Sequence, residues 1–344
     1  MISRKFIIWA CGLLFVFSSC AEDMVKPIEN DKDAPGTVQD VKTESLPGAV
    51  KFTYTLPSDP DLLYVLAKYT NKTGKVMEFR SSFYTNSVTV EGFGDTDTYK
   101  VELYTVDRSE NRSQPQIVEV APLTPPILSC YESLSVVSDF GGMTFEMDNK
   151  FKSDLAIYVC TPDELGDMVL AETFYSAREE IVYSVRGYDA VPRRFGIFLQ
   201  DKYGNETDTL FTELTPIYER ELDKTKFREM YLQNDSRVDS YDGKMEYVWN
   251  GRISKDGDSG GVGLHTGTGT KDGPAVFTFD LGVLAKLSRF ALWAIQDDKH
   301  FYNDMSPRRY EVWGCATEPN PDGSWDQWVK LLDMDNVKPS GSPI

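Results

Sequence analysis

Histidine is nearly absent, with two residues in 344, and general-base and zinc chemistry both draw heavily on it. The five cysteines include no Cys-x-x-Cys pair, so a zinc ribbon or thioredoxin-type site has no support. Basic side chains are also in deficit: 36 Lys and Arg stand against 54 Asp and Glu, a net charge of −18. Such a balance repels phosphate backbones instead of releasing their counterions, which excludes nucleic acid as a partner. No GxxxxGK[ST] occurs, and Gly267-Thr268-Gly269 opens no helix, so phosphate binding has nothing behind it. What remains is ordinary: 41% hydrophobic and 26% charged residues, the usage of a folded chain long enough for two or three domains. A binding or scaffold protein comes before an enzyme on these grounds.

Arg4 and Lys5 precede an apolar run over residues 6–17, followed by Ser18, Ser19 and Cys20. The run is shorter than the roughly twenty residues a spanning helix needs and reads as an export signal. Phe17-Ser18-Ser19-Cys20 resembles a lipobox, at which a bacterial lipoprotein is cut and acylated on its new N-terminal cysteine. A plain secretory signal with an incidental cysteine is the alternative. Ala21-Glu22-Asp23 resembles the surface-export signal of Bacteroidota-type lipoproteins. The resemblance implies a lipid on Cys20, a tether over residues 21–35, and a protein held at the outer membrane, facing the exterior, without entering the bilayer.

From Gly36, apolar and polar residues alternate in short runs bounded by turn residues: Val50-Phe52-Tyr54, residues 64–67 and 76–79, Val88-Val90, and 99–106 with Val101, Leu103 and Thr105 on one face. Period two over such lengths predicts antiparallel β-sandwiches. The plan then repeats. Gly48-Ala49-Val50-Lys51-Phe52 matches Gly141-Gly142-Met143-Thr144-Phe145 at an offset of 93, as residues 62–66 match 155–159. Asp107-Arg108-Ser109-Glu110-Asn111 matches Asp201-Lys202-Tyr203-Gly204-Asn205 at 94. Three anchors in register mark two tandem units, expected over 36–124 and 125–218. In fibronectin-type-III-like domains the Asp-x-x-x-Asn pattern forms the turn of the last hairpin, so Asp107 and Asp201 are expected to cap backbone groups. Leu123-Thr124-Pro125-Pro126 and Leu214-Thr215-Pro216 close the units with stiffening proline. Cys130 and Cys160 fall in one predicted domain, where they either pair in an oxidising compartment or stay reduced, Cys160 as a small buried hydrophobe.

Beyond Tyr247 lie five of the six tryptophans, both histidines and a glycine-rich stretch, the composition of a recognition surface. Phe277-Thr278-Phe279-Asp280-Leu281-Gly282, followed by Leu287-Ser288-Arg289-Phe290-Ala291-Leu292-Trp293, resembles the central strands of a discoidin (coagulation factor 5/8 type C) domain. Pro307-Arg308-Arg309-Tyr310-Glu311-Val312-Trp313-Gly314 and Pro319-Asn320-Pro321-Asp322-Gly323-Ser324-Trp325-Asp326-Gln327-Trp328 continue the similarity. It covers roughly residues 249–332 and implies an eight-stranded jelly roll over 219–344. The family's closing hairpin has no counterpart between Leu332 and Ile344, which leaves a truncated product or an edge completed otherwise. The whole chain resembles three-domain Bacteroidota surface lipoproteins that accompany polysaccharide-uptake loci. The expected fold is therefore all-β, with two Ig/fibronectin-III-like sandwiches projecting a discoidin-like module.

Two motifs invite other readings. Gly257-Asp258-Ser259-Gly260-Gly261 reproduces the nucleophile motif of chymotrypsin-like proteases, but both histidines, His265 and His300, follow the serine, and Val262 stands where that family has proline. Asp256, Asp258 and Asp272 could ligate a structural calcium, since discoidin-like sugar binders often hold one. Their spacing is not that of an EF-hand, and Asn250-Gly251 replaces the family's aspartate-glycine, so a solvated loop is the favoured reading. No cofactor is otherwise expected. Nothing fixes two carboxylates in opposition as a glycosidase requires, and the chain is read as no enzyme. Candidate ligand contacts are Trp249, His265, His300, Tyr302, Arg308 and Trp325, because indoles stack on sugar C–H faces and polar groups read the hydroxyls. Trp293 and Trp313 fall in predicted strands and read as core. The expected partner is a glycan or polysaccharide, with outer-membrane lipid at Cys20 and outer-membrane uptake proteins beside it. The alternative is an assembly component that contacts those proteins without binding sugar.

Overall fold

The computed structural model describes residues 31–253, 263–266, 273–294, 302 and 307–338, which leaves Cys20, His300, Ser259 and the Asp256, Asp258 and Asp272 loops outside the described residues. The chain forms two compact units, Met1–Ile217 and Tyr218–Ile344, and the fold is all-β.

The first sandwich has seven strands: β1 (Gln39–Leu46), β2 (Ala49–Thr55), β3 (Leu62–Thr70), β4 (Val76–Ser82), β5 (Ser87–Glu91), β6 (Tyr99–Asp107) and β7 (Gln116–Val120). They pair antiparallel in two sheets, ordered β1-β2-β5 and β4-β3-β6-β7. The alternation read in the sequence sets the faces. On β2, Val50, Phe52 and Tyr54 are buried while Thr53 and Thr55 are exposed; on β6, Val101, Leu103 and Thr105 are fully buried. Phe93 stacks on Tyr69 at 4.4 Å to complete the core. Each such fully buried large side chain contributes about 1.5–3 kcal/mol. Strand β1 escaped the sequence pattern because it is an edge strand whose burial is slight along its whole length.

Strands β8 (Ser135–Asp139), β9 (Gly142–Asp148), β10 (Leu155–Pro162), β11 (Met168–Ser176), β12 (Glu180–Val185), β13 (Arg193–Asp201) and β14 (Leu210–Leu214) repeat the plan. Their sheets are ordered β8-β9-β12 and β11-β10-β13-β14. A seven-residue helix, α1 (Pro126–Glu132), precedes them and lays Ile127 and Cys130 into this second core. The three described cysteines are free, so Cys130 and Cys160 do not pair. Cys130 faces inward from α1 with its thiol toward Asn149 Oδ1 (3.6 Å). Cys160 occupies an outward position of β10, alternating with buried Ile157 and Val159.

The two Asp-x-x-x-Asn turns are capped alike. Asp107 Oδ1 accepts the backbone N–H of Ser109 (2.9 Å) and Asn111 (2.8 Å), and Oδ2 accepts Asn111 Nδ2 (3.0 Å). Asp201 accepts Tyr203 N (2.9 Å), Asn205 N (2.9 Å) and Asn205 Nδ2 (2.8 Å). The second turn also builds the joint between the sandwiches. Asn205 Nδ2 donates to the Gly92 carbonyl (3.1 Å), and the Tyr203 hydroxyl donates to Glu91. Gly92, at φ +84°, lies so close under the Tyr203 ring that a Cβ would stand 2.8 Å from Cγ. The linker is clamped too, with Gly48 N–H donating to Leu123 O at 3.0 Å.

The second unit shows four strands among the described residues: β15 (Arg228–Met230) pairs with β16 (Thr278–Asp280), and β17 (Arg309–Gly314) with β18 (Val329–Asp335). That is fewer than the eight a discoidin-like jelly roll implies. Residues 287–293 form no strand, and Trp293, expected in the core, is 58% exposed. Polar and ring contacts hold the segment instead: Arg289 donates to Glu219 through Nε (3.1 Å) and NH2 (2.9 Å), and Phe290 lies 6.2 Å from Tyr310.

Two outcomes check this architecture. A Cβ at Gly142 would sit 1.9 Å from the Val185 carbonyl oxygen, so Gly142→Ala is expected to destabilise the second sandwich by about 3 kcal/mol; an unchanged denaturation midpoint contradicts the packing. Burial, and secondarily Asp148, push the Cys130 thiol up to about 11. At pH 8 iodoacetamide should therefore leave Cys130 unmodified until denaturant is added, and peptide mapping that finds it alkylated in the native protein contradicts its placement.

Candidate functional site

Tryptophans concentrate on the β17–β18 hairpin and its connecting loop. Strand β17 carries Trp313, and the loop supplies Trp325 and Trp328. The Trp313 and Trp325 rings meet edge to face at 5.0 Å and 70°, and Trp325 lies 6.1 Å from Trp328 at 52°. Such geometry suits the ring quadrupoles. Trp313 is half-buried and tied by Nε1–H to Glu311 (2.9 Å), while Trp325 at the crest is 46% exposed. Lys330 Nζ stands 5.4 Å from the Trp313 centroid and 2.5 Å from Glu311 Oε1.

Hydrogen bonds within the loop fix its course. Asn320 N–H donates to Gln327 Oε1 (2.8 Å), Asn320 Nδ2 to Ser324 Oγ (3.0 Å), and Trp328 N–H to Trp325 O (3.0 Å). Gly323, at φ +74°, packs against Asn234, whose Nδ2 donates to Asp322 O (3.2 Å). Lys330, then Trp313, hold the Glu311 carboxyl below the usual range, and the Ser324 backbone N–H does the same for Asp322. Both stay ionised near neutrality, whereas a general acid needs a raised pKa.

The other expected contacts lie elsewhere. Trp249 packs edge to face on Phe227 (5.8 Å) and against Phe279 (5.2 Å), and one flank lines an open cleft of about 510 Å³ with Lys224, Thr225, Glu246, Tyr247 and Asn250. Half-buried His265 bridges Asp239 through its backbone, with its ring 5.8 Å from Tyr241. Arg308, at the start of the hairpin, pairs with Asp335 at 3.6 Å. Tyr302 is 37% exposed at φ +57°. Trp249, Trp325 and His265 thus belong to three separate ring clusters, not one constellation. The partners of Trp325 were missed: Trp313 read as core because it sits in a strand, although the spacing of Trp325 and Trp328 carries a signal. A further acidic group, Asp31, Asp61 and Asp107, brings carboxylate oxygens within 4.8 Å of one another.

Three family profiles match the chain, each described as a domain of unknown function: DUF4959 over residues 35–122, DUF5126 over 123–225 and DUF5000 over 249–344. No curated protein matches. Among solved structures, one described as SusE-like protein BT2857 is 98% identical, covers 36% of this chain and 71% of that chain, and has a TM-score of 0.35. A two-fibronectin-type-III segment from chicken tenascin is 12% identical, covering 52% of this chain and 99% of its own, at a TM-score of 0.25. The fn3 domain of human collagen alpha-1(XX) is 14% identical, covering 28% and 93%, at 0.24.

Proposed function

The chain belongs to the SusE-like protein family, and on that premise we propose that it is a non-catalytic, lipid-anchored surface protein whose C-terminal unit captures glycan for polysaccharide uptake. Trp325 is the observation that carries the reading: an indole 46% exposed, braced by Trp313 and Trp328 at 5.0 and 6.1 Å, on a loop fixed by its own hydrogen bonds. A pyranose stacks on such a ring, and neighbouring groups such as the Asp322 carboxylate and the Gln327 amide read its hydroxyls. Rigidity matters because a pre-ordered ring adds little entropic cost on binding. The discoidin-like sequence around Asp280-Leu281-Gly282 agrees with a ligand-binding module, and the lipobox-like Phe17-Ser18-Ser19-Cys20 with an anchor in the outer membrane.

A second reading, an assembly component that holds partner proteins, is favoured by the exposed apolar side chains of Leu284, Leu287, Phe290, Leu292 and Trp293. Affinity electrophoresis through gels containing neutral or acidic polysaccharides separates the two. At least one gel should retard the protein, and Trp325→Ala should weaken that binding about tenfold or more with an unchanged melting temperature. Retardation indifferent to Trp325 would move the site elsewhere. No retardation in any gel would favour the assembly role.

A further inference from the structure

We infer that the Asp-x-x-x-Asn turn of each sandwich is a socket for the chain segment that comes before it, and that the first sandwich's socket holds the protein's own N-terminal segment as a strap. This rests on the turns alone and is independent of glycan binding.

A carboxamide nitrogen has two hydrogens to give. In the second sandwich Asn205 spends one on its own Asp201 Oδ2 (2.8 Å) and the other on the Gly92 carbonyl of the preceding sandwich (3.1 Å). In the first sandwich Asn111 Nδ2 donates to its own Asp107 Oδ2 (3.0 Å) and, on its other side, faces Asp31 Oδ1 (3.0 Å) with the Asp31 and Asp33 carbonyls at 3.4 Å. The third position of each turn takes part as well. Tyr203 covers Gly92 and donates to Glu91, while Ser109 Oγ accepts the Asp31 backbone N–H at 3.0 Å. The same two turn positions therefore seat a preceding sandwich in one case and residues 31–33 in the other.

Further contacts lay the segment along the domain. Gly36 N–H donates to Asp59 Oδ2 (2.8 Å), Thr105 Oγ1 donates to Gly36 O (2.6 Å), and Pro35 and Val38 are buried. Closing the strap brings the Asp31 carboxylate within 4.8 Å of those of Asp61 and Asp107. Hydrogen bonding must outweigh that like-charge repulsion, so salt, which screens the repulsion, should tighten the strap.

Amide hydrogen exchange on the full chain tests this. The Asp31 and Gly36 amides should be protected, and more so as sodium chloride rises from low ionic strength. Asn111→Ala should speed exchange at Asp31 about fivefold or more, the scale of one lost hydrogen bond. Ser109→Ala should do the same while leaving the turn's Asp107–Asn111 cap intact, and Asn205→Ala should leave Asp31 unchanged. Exchange of Asp31 at the unprotected rate in the parent protein, or protection that survives Ser109→Ala, overturns the strap.

Discussion

The side-chain amide of Asn205 does two jobs with two hydrogens. It closes the β13–β14 turn on Asp201 and, from the same atom, binds the Gly92 carbonyl of the sandwich before it. Neighbouring parts of the joint depend on that placement. Gly92 has to be glycine, because its φ of +84° and the Tyr203 ring leave no room for a Cβ, and Gly94 is pressed by the Asn205 amide, whose oxygen would lie 2.6 Å from an added Cβ. A linker of similar length without this clasp would leave the domains free to swing, the default for modular chains. Here the two sandwiches lie within one compact unit.

The tryptophan hairpin is also held by local bonds. On the β17–β18 hairpin Trp313 is only half covered, and Trp325 and Trp328 complete the cluster from the loop. Turn bonds within residues 320–328, not a deep core, hold the exposed indole in place.

Much of this was legible in the sequence, for reasons that can be named. Strands β2 and β6 showed themselves because one face is core and the other is not, as Val50, Phe52 and Tyr54 demonstrate. The repeat offset was readable because each unit needs the same Asp–Asn cap. Other features had no local signal. The seven residues of α1 are too few for helical periodicity to emerge, and β1, an edge strand, has almost no apolar face. The joint brings together residues 113 apart, which no spacing rule anticipates. Sequence alone places Trp313 and Trp293 in a core, because a tryptophan in a strand is ordinarily covered by a second layer. Trp313 instead faces its own loop, and Trp293 lies outside any strand.

If the Asn205 clasp holds the two sandwiches as a rigid pair, a distance between them reports it. Spin labels at Val76→Cys on β4 and Val182→Cys on β12, both solvent-exposed, can be placed in a background where the native cysteines are serine. Pulsed dipolar spectroscopy should give one narrow distance distribution, which broadens when Gly92→Ala and Asn205→Ala are combined. A broad distribution in the parent protein would mean that the Asn205 clasp does not hold the pair together.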